Sequence, residues 1–254
     1  MKNLIVANWK MNPASQKEAE DIFKGIKRGI KGATSEVVVC PPFVYLPLLS
    51  GLTLGAPASP SLGGQNVFFR EGGAFTGGIS AMMLKDLKVE YVIIGHSESR
   101  RYLKETDEIV NIKIKEALGA GLKIIFCIGE TAEERDAGKK NEVLERQIKI
   151  GLAGIENWKL KIENLAIAYE PVWAIGTVNN CSVEETRQTI AFIKDCLARQ
   201  NATAFVGQAR VLYGGSVDSK NSGAYIKDAG ANGLLVGGAS LNAEEFVKIV
   251  KSAE

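Results

Sequence analysis

Among 254 residues there is one histidine, His96, and the four cysteines at 40, 127, 181 and 196 form no CxxC pair. A zinc centre built from Cys and His ligands is therefore not expected. Charge of one sign is also missing. Lysine and arginine number 31 against 29 acids, a net charge of +2, which argues against a nucleic-acid protein that relies on bulk electrostatics. No apolar run approaches the roughly 20 residues of a membrane helix. Neither a Walker A pattern nor GxGxxG is present, so the commonest nucleotide-binding signatures are absent. Low-complexity stretches and linker-like breaks are lacking too. With 46% hydrophobic and 24% charged residues, the composition is globular and excludes intrinsic disorder.

The length suits a single α/β barrel, typically about 250 residues. The start, Met1-Lys2-Asn3-Leu4-Ile5-Val6-Ala7, reads as a first strand and not as a signal peptide. The expected location is cytoplasmic, where the four thiols should stay free and the Asn201-Ala202-Thr203 sequon carries no meaning.

Short β-branched or apolar runs alternate with helical patterns. The strand candidates are Leu4–Asn8, Val37–Cys40, Leu62–Asn66, Tyr91–Gly95, Lys123–Ile128, Leu165–Glu170, Arg210–Tyr213 and Leu234–Gly237. Continuous apolar strands such as Lys123–Ile128 imply burial on both faces, as in parallel sheets. The third is the poorest, because glycine weakens strands. Ser15 with Glu18, and Ser182 with Glu185, have capping-box spacing. Ala19, Ile22, Phe23, Ile26 and Ile30 follow a helical period, as do Val110, Ile114 and Leu118. Lys24, Lys27, Arg28 and Lys31 read as a solvated face. Eight alternating units predict one α/β domain over residues 1–254, a closed (β/α)8 barrel; a doubly wound open sheet is the alternative.

Barrels of this kind place their active sites at the C-terminal ends of the strands. The polar residues there are Asn8 and Lys10 after the first strand, His96 and Glu98 after the fourth, Glu130 after the fifth and Glu170 at the end of the sixth. The seventh and eighth end in Gly214-Gly215-Ser216 and Gly237-Gly238. An amide, an amine, an imidazole and carboxylates would thus meet beside two glycine-rich turns, whose main-chain N–H groups can approach an anion without Cβ obstruction.

NWKMN at 8–12, GHSE at 95–98, YEPVWAIGT at 169–177, YGGSV at 213–217 and VGGASL at 236–241 resemble the triosephosphate isomerase family. CPPF at 40–43, GQNV at 64–67, GAFTG at 73–77, ETDE at 105–108 and CIGE at 127–130 do so as well, in the family's order and over nearly the whole chain. The resemblance implies a TIM barrel that interconverts dihydroxyacetone phosphate and D-glyceraldehyde 3-phosphate in glycolysis and gluconeogenesis, without a metal or organic cofactor. It implies Glu170 as base, His96 as electrophile, Lys10 and Asn8 at the developing oxyanion, and Gly176, Ser216, Gly237 and Gly238 around the phosphate. Glu98 takes a supporting part, Cys127 a packing one, and Pro171 to about Cys181 form a mobile lid with Trp173 and Ile175 on its apolar face. A homodimer is implied, with the loop around Thr76 inserted beside the second subunit's active site. No membrane or nucleic-acid partner is implied.

Departures from the family pattern fall at Val178-Asn179-Asn180-Cys181, where the second lid hinge usually reads Gly-Lys-Thr-Ala, at Asn232 and Lys194, where an aspartate and an arginine are usual, and at Gly78 and Ser99, where a glutamate and an arginine are usual. The first leaves lid kinetics open, the second implies a weaker ion pair, and the third implies loss of an ion pair between subunits. A different sugar-phosphate isomerase is disfavoured by the motif around Glu170 and the single His96. A scaffold that kept only the fold would be expected to lose Lys10, His96 or Glu170, and all three remain.

Overall fold

Eight parallel strands close on themselves in chain order in the computed structural model, which describes residues 1–53, 59–155, 164–177, 179–200 and 209–254. They are β1 (Leu4–Asn8), β2 (Glu36–Cys40), β3 (Ser61–Gly64), β4 (Tyr91–Ile94), β5 (Lys123–Ile128), β6 (Leu165–Tyr169), β7 (Arg210–Tyr213) and β8 (Gly233–Val236). Closure comes from β1, which pairs with β2 on one side and β8 on the other, Leu4 facing Glu36 and Gly233. The open-sheet alternative is thereby excluded.

The helices are α1 (Gln16–Gly29), α2 (Leu46–Thr53), α3 (Ala81–Asp86), α4 (Ser97–Tyr102), α5 (Asp107–Gly119), α6 (Ala132–Asp136), α7 (Lys140–Gly151), α8 (Val183–Gln200), α9 (Ser222–Lys227) and α10 (Ala243–Ser252). Their starts obey local chemistry. Ser15 Oγ accepts from the Glu18 N–H and Ser182 Oγ from the Glu185 N–H, as their spacing predicts. Such caps are worth about 1 kcal/mol each. A full reciprocal box forms at Thr131 and Glu134, at the start of α6. The lysine stripe on α1 is a tethered surface: Lys24 pairs with Glu20 and Lys27 reaches the Leu52 carbonyl.

Alternate residues along each strand divide two cores. Leu4, Val6, Val38, Cys40, Tyr91, Ile93, Ile125, Cys127, Ala166, Ala168, Leu212 and Leu235 fill the barrel interior. Their neighbours, including Ile5, Ala7, Val39, Ile94, Phe126 and Ile167, pack outward with the helices. Two-residue periodicity places i and i+2 on one face, and burial of both faces requires apolar residues at every position. The inward series of β1 runs Leu4, Val6, Asn8; that of β6 runs Ala166, Ala168, Glu170. The parity that fills the barrel thus delivers Asn8 and Glu170 to its open end.

Four strands stop earlier than the sequence suggests. β3 ends at Gly64, and a Cβ on Gly63 would lie 2.4 Å from Cys40 Sγ, so the glycines in this strand serve close packing. β4 ends before Gly95 because Gly95 has φ +75°, which only glycine adopts freely. β6 ends at Tyr169, and β8 runs from Gly233 to Val236, one residue earlier at each end than expected.

The N-terminal end of the barrel is closed by a polar cluster. Arg210 donates to Glu36 at 2.6 Å, Tyr91 donates to the same carboxylate, and Lys123 lies 3.5 Å from Glu36 and from Glu90. Burial works against the charge of Glu36, but the hydrogen bonds from Tyr91 and Arg210 outweigh it and hold the carboxyl below its ordinary 4.5. A depressed carboxyl stabilises the fold above its unfolded pKa and loses that contribution as pH falls through its folded value. Urea midpoints of the wild type and Glu36→Gln are therefore expected to differ most at neutral pH and to converge only as pH falls below the ordinary carboxylate range. A gap that widens on acidification would contradict this account of the cluster.

Candidate active site

At the C-terminal end of the barrel a cavity of about 250 Å³ is lined by Asn8, Lys10, His96, Glu170, Gly176, Ser216, Gly237 and Gly238, together with Ile175, Gly214, Gly215, Val217, Leu235 and Ala239. A larger hollow of about 800 Å³ lies between α4–α5 and α6–α7, but of the strand-end polar residues just named it contains none. Convergent polar groups at the carboxyl ends of the strands single out the smaller cavity.

Glu170 is 2% exposed. Its Oε2 accepts from the Ser97 N–H at 2.9 Å, and its Oε1 lies 3.0 Å from His96 Nε2. His96 caps α4, and its Nδ1 accepts from the Glu98 N–H at 3.2 Å. A nitrogen that accepts carries no proton, so the ring is the neutral tautomer with its hydrogen on Nε2, facing the cavity. Lys10 Nζ forms an ion pair with Glu98 Oε1 at 2.6 Å.

Lys10 has φ +53°, an uncommon conformation for a residue with a Cβ. Local bonds hold it there. Its N–H donates to Asn8 Oδ1 at 3.0 Å, and Gln65 Nε2 donates to the Lys10 carbonyl at 2.8 Å and to the Cys40 carbonyl at 2.9 Å. Asn8 is thus a backbone clamp for Lys10 as well as part of the cavity wall.

Glu170 sits between two glycines. A Cβ on Gly129 would fall 1.7 Å from the Glu170 carbonyl oxygen, and one on Gly214 would fall 3.0 Å from Glu170 Cγ. Cys127, two residues before Gly129, is fully buried in the inner core. Burial first, and the nearby Glu170 carboxylate second, push its thiol well above the ordinary range, so it packs as a neutral group.

Beyond Glu170, Pro171 leads into a 3-10 turn over Val172–Ala174. Trp173 Nε1 donates to Glu130 Oε1 at 2.7 Å, and Tyr169 Oη donates to the same oxygen at 3.1 Å. Burial lifts the Glu130 carboxyl above its ordinary value, against these two bonds. Ser216 Oγ donates to the carbonyls of Ala174 and Thr177, at 3.0 and 3.2 Å, which joins the turn after β7 to this segment. Gly176 has φ +70°. Of the divergent hinge, Val178 lies outside the described residues; Cys181 is buried, and burial raises its thiol to about 11.

The sequence matches the family model described as Triosephosphate isomerase over residues 3–253. It is 44% identical over 249 residues to the triosephosphate isomerase of Alkaliphilus oremlandii, which covers 98% of both chains. It is 43% identical over 252 residues to that of Dictyoglomus thermophilum, 99% of both. The crystal structure of triosephosphate isomerase from Bartonella henselae superposes with a TM-score of 0.86 at 37% identity, over 99% of each chain. The chain belongs to the triosephosphate isomerase family.

Within that family pattern, the two substituted pairs have visible consequences. Asn232 Oδ1 accepts from the Val211 N–H at 3.2 Å, and no ion pair joins it to Lys194 among the described residues. Gly78 meets Phe68 and Phe75: a Cβ there would lie 3.1 Å from the Phe75 carbonyl and 3.2 Å from Phe68 Cγ. Phe68, Phe69 and Phe75 form one aromatic cluster, with Phe68 4.3 Å from Phe69 and 5.0 Å from Phe75 between ring centres. Residues 71–77, including Thr76, are exposed.

The sequence reading gathered Asn8, Lys10, His96, Glu170, Gly176, Ser216, Gly237 and Gly238, and all line one cavity. Glu98 stands beside it, bound to Lys10, and Cys127 lies beneath it. Four supports went unassigned: Gln65, the Ser97 N–H, Gly129 and Gly214. Gln65 and Gly129 lie inside the GQNV and CIGE blocks, so their motifs are visible in the sequence, but a backbone hydrogen bond and a site with no room for a Cβ are not written in one-letter code. Gly129→Ala is expected to displace Glu170 and cost about 10²-fold in kcat, the scale of a 1 Å misplacement of a reacting group. Steady-state kinetics with glyceraldehyde 3-phosphate checks this, and unchanged kcat in a folded variant would refute it.

Proposed function

We propose that this chain interconverts dihydroxyacetone phosphate and D-glyceraldehyde 3-phosphate with Glu170, His96, Lys10 and Asn8 as its reacting groups. The observation that carries the assignment of residues is the meeting of the Glu170 carboxylate, the protonated Nε2 of neutral His96 and the Lys10 ammonium around one small cavity.

The reaction removes a proton from carbon next to a carbonyl and returns it to the neighbouring carbon. Glu170 takes the proton from C1 of the ketone; the C–H electrons form the C1–C2 double bond and the carbonyl oxygen becomes an enediolate oxygen. The His96 Nε2–H and the Lys10 ammonium supply hydrogen bonds and charge where that oxygen becomes negative. Return of the proton to C2, with a hydroxyl proton exchanged through His96, gives the aldehyde. With 3.0 Å between Glu170 and His96, no carbon fits between them at rest, so the carboxylate must swing aside to admit substrate. Glu170 is 2% exposed, so it meets the substrate carbon away from bulk water.

The phosphate binds main-chain N–H groups at Gly176, Ser216, Gly237 and Gly238. These positions lie at the lid and after β7 and β8, where barrels of this kind commonly hold phosphate. Closure of Pro171–Cys181 brings Gly176 to the anion and shields the enediolate, which in water would eliminate phosphate. No metal or organic cofactor takes part in this scheme. The unit is one domain over residues 1–254 and the working location is cytoplasmic; among the described residues, no helix is long and apolar enough to cross a membrane.

Assembly is as a homodimer through the loop around Thr76. Phe75 is 42% exposed at the loop tip, and a groove lined by Phe43, Phe68, Phe69, Gly78 and Leu103 lies at its foot. With glycine and serine at 78 and 99, neither position carries a charge that needs a partner, and aromatic packing takes over the contact.

Glu170→Gln keeps side-chain volume and removes the proton acceptor. Turnover is expected to fall by at least about 10²-fold, and wild-type turnover in a coupled assay would refute the assignment. Sedimentation over a dilution series is expected to give a dimer that changes little between low and high salt. A fully active monomer, or a dimer that dissociates steeply as salt rises, would overturn the aromatic contact.

A further inference from the structure

Arg135 projects from α6, whose first turn is fixed by the Thr131–Glu134 capping box. Its guanidinium carbon lies 3.7 Å from the centre of the Trp173 ring. Its Nη2 lies 3.2 Å from Glu185 Oε2. Trp173 belongs to the first turn of the lid, three residues after Glu170, and Glu185 belongs to the first turn of α8, which follows the lid. One cation therefore touches both the lid's first turn and the helix that follows the lid. Lys140 steadies the far contact, with Nζ 3.3 Å from Glu185 and 3.2 Å from Thr189 Oγ1.

The resting geometry gives this contact a consequence. Glu170 lies against His96 and must move before substrate fits. Pro171 and Val172 are all that separate it from Trp173, so its movement pulls on a ring held at its edge by Glu130 and on its face by Arg135. We propose that Arg135 is a positioning residue for the isomerisation, a latch that holds the lid's first turn at rest by stacking on Trp173. Phosphate binding closes the lid only by breaking that stack, so the latch weakens phosphate affinity and speeds reopening. The inference rests on the functional reading given above.

The chemistry calls for arginine specifically. A planar guanidinium stacks on an indole, whereas lysine offers a point charge that can keep the Glu185 pair and lose the stack. The Arg135 side chain is 41% exposed, so its truncation leaves no core cavity.

The test begins with wild-type turnover of glyceraldehyde 3-phosphate and calorimetric binding of inorganic phosphate. Failure of either removes the functional reading itself, before any variant is made. Given both, Arg135→Ala and Arg135→Lys are compared with wild type. The latch predicts that both bind phosphate about two- to fivefold more tightly, the range of a partly exposed cation–π contact. It also predicts lower KM together with lower kcat, and faster amide exchange at 172–177 without phosphate. Equal or weaker phosphate binding in Arg135→Ala would overturn it. Full restoration by Arg135→Lys would also overturn it, because charge and not stacking would then carry the effect. A generally destabilised variant would instead raise KM and quicken exchange throughout α6 and α7.

Discussion

The pairing of β1 with both β2 and β8 is the constraint on which the rest of the structure depends. It makes the sheet a closed surface with no free edge, so every strand residue faces either the interior or the helices. It also brings together the ends of strands far apart in sequence. Asn8 and Lys10 leave β1, His96 leaves β4, Glu170 leaves β6, and the two glycine turns leave β7 and β8. Without closure these groups would lie along a row; with it they surround one cavity of about 250 Å³.

The site stores its charges in compensated form. Lys10 is paired with Glu98, Glu170 is held by the Ser97 N–H and lies against His96, and His96 is fixed as a neutral donor because a backbone N–H occupies its other nitrogen. A buried charge without such partners would cost several kcal/mol. Each of these contacts uses the short stretch 96–98 at the start of α4. The same segment thus orients the imidazole, anchors the carboxylate and supplies the counter-ion of the lysine. Glycine clears the space around them: at 129 and 214 any side chain would press on Glu170.

The surface around the Thr76 loop follows a different logic from the interior. Here glycine at 78 admits Phe68 and the Phe75 carbonyl into space that a longer residue would fill. The glycine and the aromatic cluster fit together: a Cβ at 78 would press on Phe68 and on the Phe75 carbonyl. At Asn232 an amide likewise serves where an acid would need a partner, by bonding to the backbone of Val211.

Much was legible in the sequence. Eight β-branched runs with helical patterns between them specified the alternation, and the capping serines specified where α1 and α8 begin, because both signals depend on neighbours within a few residues. The strand-end motifs named Asn8, Lys10, His96 and Glu170 for the same reason. What the one-dimensional string could not carry was parity. In a strand apolar on both faces, nothing local tells which alternate residues point inward, so the register that sends Glu170 into the cavity came only from closure. Nor could it carry close approach and tautomer: the contact of Gly129 with the Glu170 carbonyl that leaves no room for a Cβ, the grip of Gln65 on Lys10 and the proton on His96 Nε2 depend on atoms brought together from different strands and loops. Sequence determined which elements form and which chemical groups end them. Tertiary structure decided which way those groups point and what holds them, because direction and contact are properties of the closed barrel and not of any segment within it.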